Sequence, residues 1–475
     1  MTTQPSTATA TATATAAQGL RHLCGGAVHL PGDPGYDAAR VPWNVAVQQR
    51  PAAVVYPASA DEVIAVVRAA SAAGLRVAPQ GTGHNAGPLG DLTDTVLVRT
   101  SAMREVTVDS ASRTARVGAG ALWIDVVDAV APFGLAALHG SSPDVGVVGY
   151  SLGGGIGWYA RALGMATNSI TAVELVTADG RLVRADAEHE PELFWAVRGG
   201  GGNFGVVTAM EFRLYPIETA YAGMLVWDRK DAEKVLRAWA RWTVDAPDEV
   251  TTAFRILQLP PFEEIPAPVR GRQLAMINGA VLGDDATAEA LLAELRALEP
   301  EIDTFARVPS ASLVRLHMDP EGPTPGVTAT SVLGDLTDEA IDAFLAMAGD
   351  GTSQSLLAAE LRQLGGALAR PHAGAGALPM LHGQFVLFGV AIAATPEMAA
   401  AGHADTQALV AAMAPWANGR QYLNFLEESG DPSTGYDAAS YSRLQSLNAL
   451  MDPDGTVVAN HRVSADNQIT LPAQR

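Results

Sequence analysis

A single cysteine, Cys24, stands in 475 residues, so no disulfide closes within the chain and no cysteine cluster holds zinc. Basic residues are scarce as well: 31 Lys and Arg face 51 Asp and Glu, a net charge of −20. Such a surface repels phosphate backbones, and no Lys/Arg cluster offsets it, which excludes a nucleic-acid partner. No apolar run approaches the roughly 18 residues that a membrane span needs, so no membrane role is expected. The opening MTTQPSTATATATATAAQG lacks both a basic start and an apolar stretch. It reads as a disordered Ala/Thr tail over residues 1–18 and not as a signal peptide, and the expected location is the cytoplasm.

What is present is an ordinary enzyme-like composition, 48% hydrophobic and 17% charged, long enough for two or three domains. PASADEVIAVVRAASAAGLRVAPQ predicts a helix followed by a strand. Ser59 and Glu62 form a capping box, Val63, Val66, Val67 and Ala70 share a face, and Gly74 ends the helix. DTVLVRT reads as a second strand and REVTVDSASRTARVGAG as a hairpin-like pair. From about Glu218 to Pro415 the pattern changes to alternating strands and Ala-rich helices, with a proline-rich loop LPPFEEIPAPV, as in a separate α+β domain with an antiparallel sheet. The last residues look like a return to the first domain. The expected division is 1–18 tail, 19–217 first domain, 218–415 second domain and 416–475 completing the first.

Three glycine clusters mark the first part: Gly81–Gly90, Gly146–Gly157 and Gly199–Gly205. The third contains G-x-G-x-x-G at Gly200, Gly202 and Gly205, but with a helix (PELFWAVR) before it and a strand (GVVTAMEFRL) after. A nicotinamide-binding turn needs the reverse order, and no βαβ unit is read around any cluster. The second cluster holds Gly149-Tyr150-Ser151-Leu152-Gly153, a literal nucleophile elbow that would make Ser151 the nucleophile of a serine hydrolase. The apolar run before it is short and broken by glycine, and glycines after it weaken the helix an elbow requires.

The first cluster poses the sharper question. In VAPQGTGHNAG, glycines let successive backbone N–H groups converge on an anion, and His84 sits at the centre. An ordinary hydrogen-bonded structural histidine is one reading. A metal ligand is a poor one, because no carboxylate or second histidine lies at ligand spacing. A neutral imidazole beside a pyrophosphate cradle can also bond the 8α-methyl of an oxidised flavin.

With PQGTGHN, HGSSPDVGVVGYSLGGGIGWYARALGMATNSI, PELFWAVRGGGGNFGVVTAMEFRL, YLNFLEE and YSRLQSLNALMDPDGTVVANHRV in order, the sequence resembles the berberine-bridge-enzyme-like branch of the vanillyl-alcohol-oxidase / p-cresol-methylhydroxylase flavoproteins. The resemblance implies an α+β fold: a p-cresol-methylhydroxylase-type FAD-binding domain of two α+β lobes, and a substrate domain whose antiparallel sheet is covered by helices. It implies FAD, with the pyrophosphate on Gln80, Gly81, Thr82, Gly83, His84 and Asn85 and a covalent bond from His84. Gly140, Ser141, Ser142, Val145, Gly146, Gly149, Gly153, Gly154 and Gly157 would line the flavin, Val207 the adenine, and Asn424 the ring or ribityl chain. Its partners would be a small alcohol, amine or secondary-metabolite substrate and O2; oligomeric state is unreadable and no metal is implied.

Three departures from the family stand out. Ser142 occupies the position of a second flavin-linking cysteine, so one covalent link is expected. Val145 occupies a position where a small side chain accompanies oxygen access, as in an oxidase. Phe425 replaces a tyrosine that assists deprotonation, and a phenyl ring takes no proton. Candidates for that task are His382 and Gln384, two apart on a strand beginning LHGQFVLFGV, and Tyr422. His382 reads equally as a solvated or capping residue at a strand start, and Tyr422 as packing. Glu360 and Arg362 form another same-face pair that either binds substrate or pairs internally.

Overall fold

The structure, a computed structural model, describes residues 16–263, 265–352 and 355–464. Residues 1–15 of the expected tail and Glu264 of the proline-rich loop lie outside the described residues. Ala17, placed in that tail by sequence, is fully buried in the core.

Two sheets form from the first half of the chain. Strands β1 (Val28–His29), β2 (Ala53–Val55), β3 (Arg76–Gln80) and β4 (Thr95–Arg99) lie in the order β1-β2-β4-β3. Both β2 and β3 run parallel to β4. The helix Ala60–Ala72 joins β2 to β3, so a βαβ unit is present after all, split by β4. The sequence concealed it because β2 is only three residues long and its parallel partner comes last. The helix itself forms as its pattern requires. Ser59 accepts from the Glu62 N–H at 3.3 Å, the Glu62 carboxylate accepts from the Ala58 N–H at 2.7 Å, and Val63, Val66, Val67 and Ala70 are fully buried. Gly74, at φ +68°, reverses the chain.

The second sheet, β5 (Val106–Asp109), β6 (Thr114–Gly118), β7 (Ile170–Val176), β8 (Leu182–Asp186) and β9 (Val206–Arg213), is antiparallel with the order β5-β6-β9-β7-β8. A common apolar core unites the two sheets. The C-terminal segment closes on the first: Val77 donates to the Thr456 carbonyl and accepts from the Val458 N–H, each at 2.8 Å.

The third sheet is wholly antiparallel. It comprises β10 (Thr219–Asp228), β11 (Val250–Gln258), β12 (Gln273–Val281), β13 (Ile302–Asp303), β14 (Ala306–Pro309), β15 (Gly326–Leu333), β16 (Leu356–Gln363) and β17 (Phe385–Ile392). Alternation decides its two faces. Phe254, Ile277, Leu361, Phe385 and Leu387 join a core with residues of the helices Ala232–Asp245, Asp285–Arg296, Asp338–Ala348 and Pro396–Met413. The opposite face carries Arg255, Glu360, Arg362 and Phe388 into a cleft against the first half of the molecule. Among the described residues no helix is long and apolar enough to cross a membrane.

Candidate functional site

A cavity of about 430 Å³ lies between the glycine-rich loops and that open sheet face. Gln80 through Asn85 line one wall, reached because β3 ends at Gln80 and delivers the chain straight into the turn. Gly83 takes φ +87°, a conformation that suits glycine, where a side chain would strike Pro42. Gly140, Ser141, Ser142, Val145, Gly146, Gly149, Gly153, Val207 and Asn424 line the cavity too, together with Gly199–Gly202.

The wall fits a dinucleotide. A Cβ on Gly149 or Gly202 would meet no protein atom within 4 Å, although both residues line the cavity, so the glycines keep open space clear for something else. Buried polar atoms stand without partners along the same wall: Gln80 Nε2 and Asn85 Oδ1. Buried polar groups are seldom left unsatisfied, and a bound polar group would engage them.

His84 occupies one end. Its ring stacks on the Trp43 indole, and Nε2 lies 3.3 Å from Asp144 Oδ1. Asp144 accepts from Trp43 Nε1 at 2.6 Å, from the Gly322 N–H at 2.7 Å and from Ser142 Oγ at 3.1 Å. Burial opposes its charge, but His84 and these donors outweigh burial and hold the carboxyl well below the usual carboxylate range. Near this end Glu427 is the reverse case: burial raises its carboxyl to about 7, only partly offset by Thr328 and Asn44.

On the sheet face Arg255 and Glu360 are direct cross-strand partners, as are Glu360 and Phe388. Arg362 Nε donates to Glu360 Oε1 at 2.7 Å. His317 stands between two carboxylates, with Nδ1 2.7 Å from Asp319 Oδ1 and Nε2 3.0 Å from Glu360 Oε2. Glu360 is 2% exposed; burial would raise its carboxyl, yet Arg362, His317 and Arg255 hold it well below the ordinary value. Phe388 and Phe425 meet at 4.8 Å, and the Arg362 guanidinium lies over the Phe425 ring.

Several sequence expectations need correction. His382 and Gln384 are exposed and outside this cavity. Strand β17 begins only at Phe385, and Gly383 at φ +137° breaks the extension on which the same-face argument relied. Gly154 and Gly157 do not line the cavity either. They permit close packing, Gly154 against the Tyr422 ring and Gly157 against the His139 carbonyl. Tyr422 does line it, but its hydroxyl accepts from the Gly155 N–H at 2.8 Å and from Asn424 Nδ2 at 3.2 Å. Burial raises that phenol to about 12, which keeps it protonated at neutral pH. Ser151 is buried inside the helix Val147–Leu152, with no strand leading to it, so the nucleophile elbow is absent. Trp43, Asp144, Arg255, His317, Asp319 and Glu427 were not foreseen as site residues.

The fold and this glycine-walled cleft define an FAD-binding protein. Residues 51–186 match the FAD binding domain family. (R)-6-hydroxynicotine oxidase of Paenarthrobacter nicotinovorans is 37% identical over 203 residues, 42% of this chain and 44% of that protein. Xylooligosaccharide oxidase of Thermothelomyces thermophilus is 34% identical over 204 residues, 42% and 41% of the two chains. The matches thus span about half the length of such relatives, or less. In three dimensions the agreement extends further. The structure of 6-hydroxy-D-nicotine oxidase from Arthrobacter nicotinovorans superposes with a TM-score of 0.77 at 25% identity, covering 90% of this chain and 95% of that one. BBE-like 1 of Physcomitrella patens gives 0.79 at 22% identity, over 92% and 96%. The chain thus carries an FAD binding domain, and its fold is that of berberine-bridge-enzyme-like proteins.

Proposed function

We propose that the protein is an FAD-dependent oxidase that carries its flavin covalently on His84, oxidises a small organic alcohol, amine or secondary metabolite, and uses O2 as acceptor. The observation that carries this reading is the continuity of one cavity from the glycine wall and His84 to the charged face of β11 and β16. Relatives named as nicotine and oligosaccharide oxidases support it.

The backbone N–H groups of Gln80 to Asn85 would hold the pyrophosphate, and His84 would fix the dimethylbenzene edge. FAD bound there supplies a hydride acceptor and a two-electron store that O2 empties. The chain's own part is placement. Arg255, Glu360 and Arg362 present fixed charges to a polar substrate group, while Phe388 and Phe425 shelter the reacting carbon from water. Three groups beside the charged face make poor bases: Phe425 has no proton-accepting atom, Tyr422 keeps its proton, and Glu360 is too stabilised as a carboxylate to bind one well. That set of groups favours a substrate that gives up hydride with little base assistance, such as a neutral amine.

The test has two readings. Acid precipitation of the purified protein should carry the yellow colour into the pellet, and an anaerobic screen of amines and alcohols should find one that bleaches it, with peroxide released on readmitting air. Colour left in the supernatant refutes the attachment; a flavin that no substrate class bleaches refutes the oxidase.

A further inference from the structure

We propose that Asp144 is a positioning residue for the bond between His84 and the flavin, fixing the imidazole proton on Nε2 so that Nδ1 is the bonding nitrogen. This rests on the reading of His84 above. The geometry around His84 carries it. Asp144 Oδ1 lies 3.3 Å from His84 Nε2, which is buried. The carboxylate is itself held in place by Trp43 Nε1, the Gly322 N–H and Ser142 Oγ. Trp43 stacks on the imidazole, its ring centroid 3.9 Å away and its plane 21° from parallel, which fixes the ring plane. Trp43 is tied in turn to the loop, its N–H donating to the Thr82 carbonyl at 2.9 Å. His84 lines the cavity.

A carboxylate beside one imidazole nitrogen favours the proton there, which leaves the lone pair, and with it the nucleophilicity, on the other. The step balances as follows. The flavin 8α-methyl loses one proton, the Nδ1 lone pair forms the new N–C bond, and the displaced electron pair enters the ring system, leaving it reduced by two electrons. The Nε2 proton leaves to solvent. Dioxygen then takes two electrons and the two protons, leaves as hydrogen peroxide, and restores the oxidised flavin on His84. Positive charge develops on the imidazole as the bond forms, and Asp144 is placed to offset it.

The experiment compares wild type, Asp144→Asn, Asp144→Glu, Trp43→Phe and His84→Ala, all from riboflavin-replete cells. Total bound flavin is read from the native visible spectrum and linked flavin from intact mass after acid treatment. Wild type should be fully linked. Asp144→Asn should still bind FAD but link it at least about tenfold more slowly on incubation, Asp144→Glu should recover part of the rate, and Trp43→Phe, which keeps a stacking ring but loses the indole donor, should fall between. Asp144→Asn linking at the wild-type rate overturns the proposal, as does loss of all FAD from both Asp144 variants, which would make the residue purely structural. A wild type with no adduct, like His84→Ala, removes the underlying reading instead.

Discussion

The imidazole of His84 lies nearly parallel to the indole of Trp43, ring centroids 3.9 Å apart and 21° from coplanar. A pair so arranged contributes about 0.5–1.5 kcal/mol beyond the area it buries. Trp43→Ala should therefore lower the denaturation midpoint modestly, by an amount that chemical denaturation resolves, and it should leave the His84 ring free to turn.

The glycine wall gives a sharper test of where the dinucleotide sits. Gly149→Leu adds a side chain that meets no protein atom close to its Cβ but enters the cavity. The variant should fold with a circular dichroism spectrum like the wild type and bind little or no FAD. Full flavin content in this variant would place the dinucleotide elsewhere.

The paired charges on the sheet face predict a large penalty for removing one member. Glu360→Ala leaves Arg255 and Arg362 buried without their carboxylate, a change that costs about 3–5 kcal/mol when a buried pair is broken. Both stability and substrate affinity should fall, read by denaturation and by KM. Because the Glu360 carboxyl is held below its ordinary 4.5, its contribution is present above that pH and lost as the solution is acidified below it.

Glu427 has the opposite sign. Its carboxyl is raised from 4.5 to about 7, so the folded protein holds a proton that the unfolded chain releases, and stability falls as pH rises from 4.5 through 7. Glu427→Gln keeps the shape without the charge. Relative to wild type it should gain stability across that interval, roughly 3 kcal/mol by pH 8, and a difference independent of pH would contradict the assignment.

Much of this was legible because it is local in sequence. The helix Ala60–Ala72 follows from its cap, its period and its glycine stop, and the turn at Gln80–Asn85 from glycines after a strand. What sequence hid depends on contacts across the fold. Asp144 lies in a segment read only for its neighbours Ser142 and Val145, and its meeting with His84 needs two loops brought side by side. His317 and Asp319 sit in a loop with no period, yet the fold carries them to Glu360 on β16. The expectation at His382 fails for another reason: LHGQFVLFGV looks extended from its start, but Gly383 at φ +137° delays the strand to Phe385.

Intact-mass measurement of the denatured wild-type chain, from cells replete in riboflavin, tests the central claim most directly. A single species heavier than the polypeptide by one FAD, with the adduct mapped to the peptide bearing His84, is the predicted result. A chain at its bare polypeptide mass would contradict it.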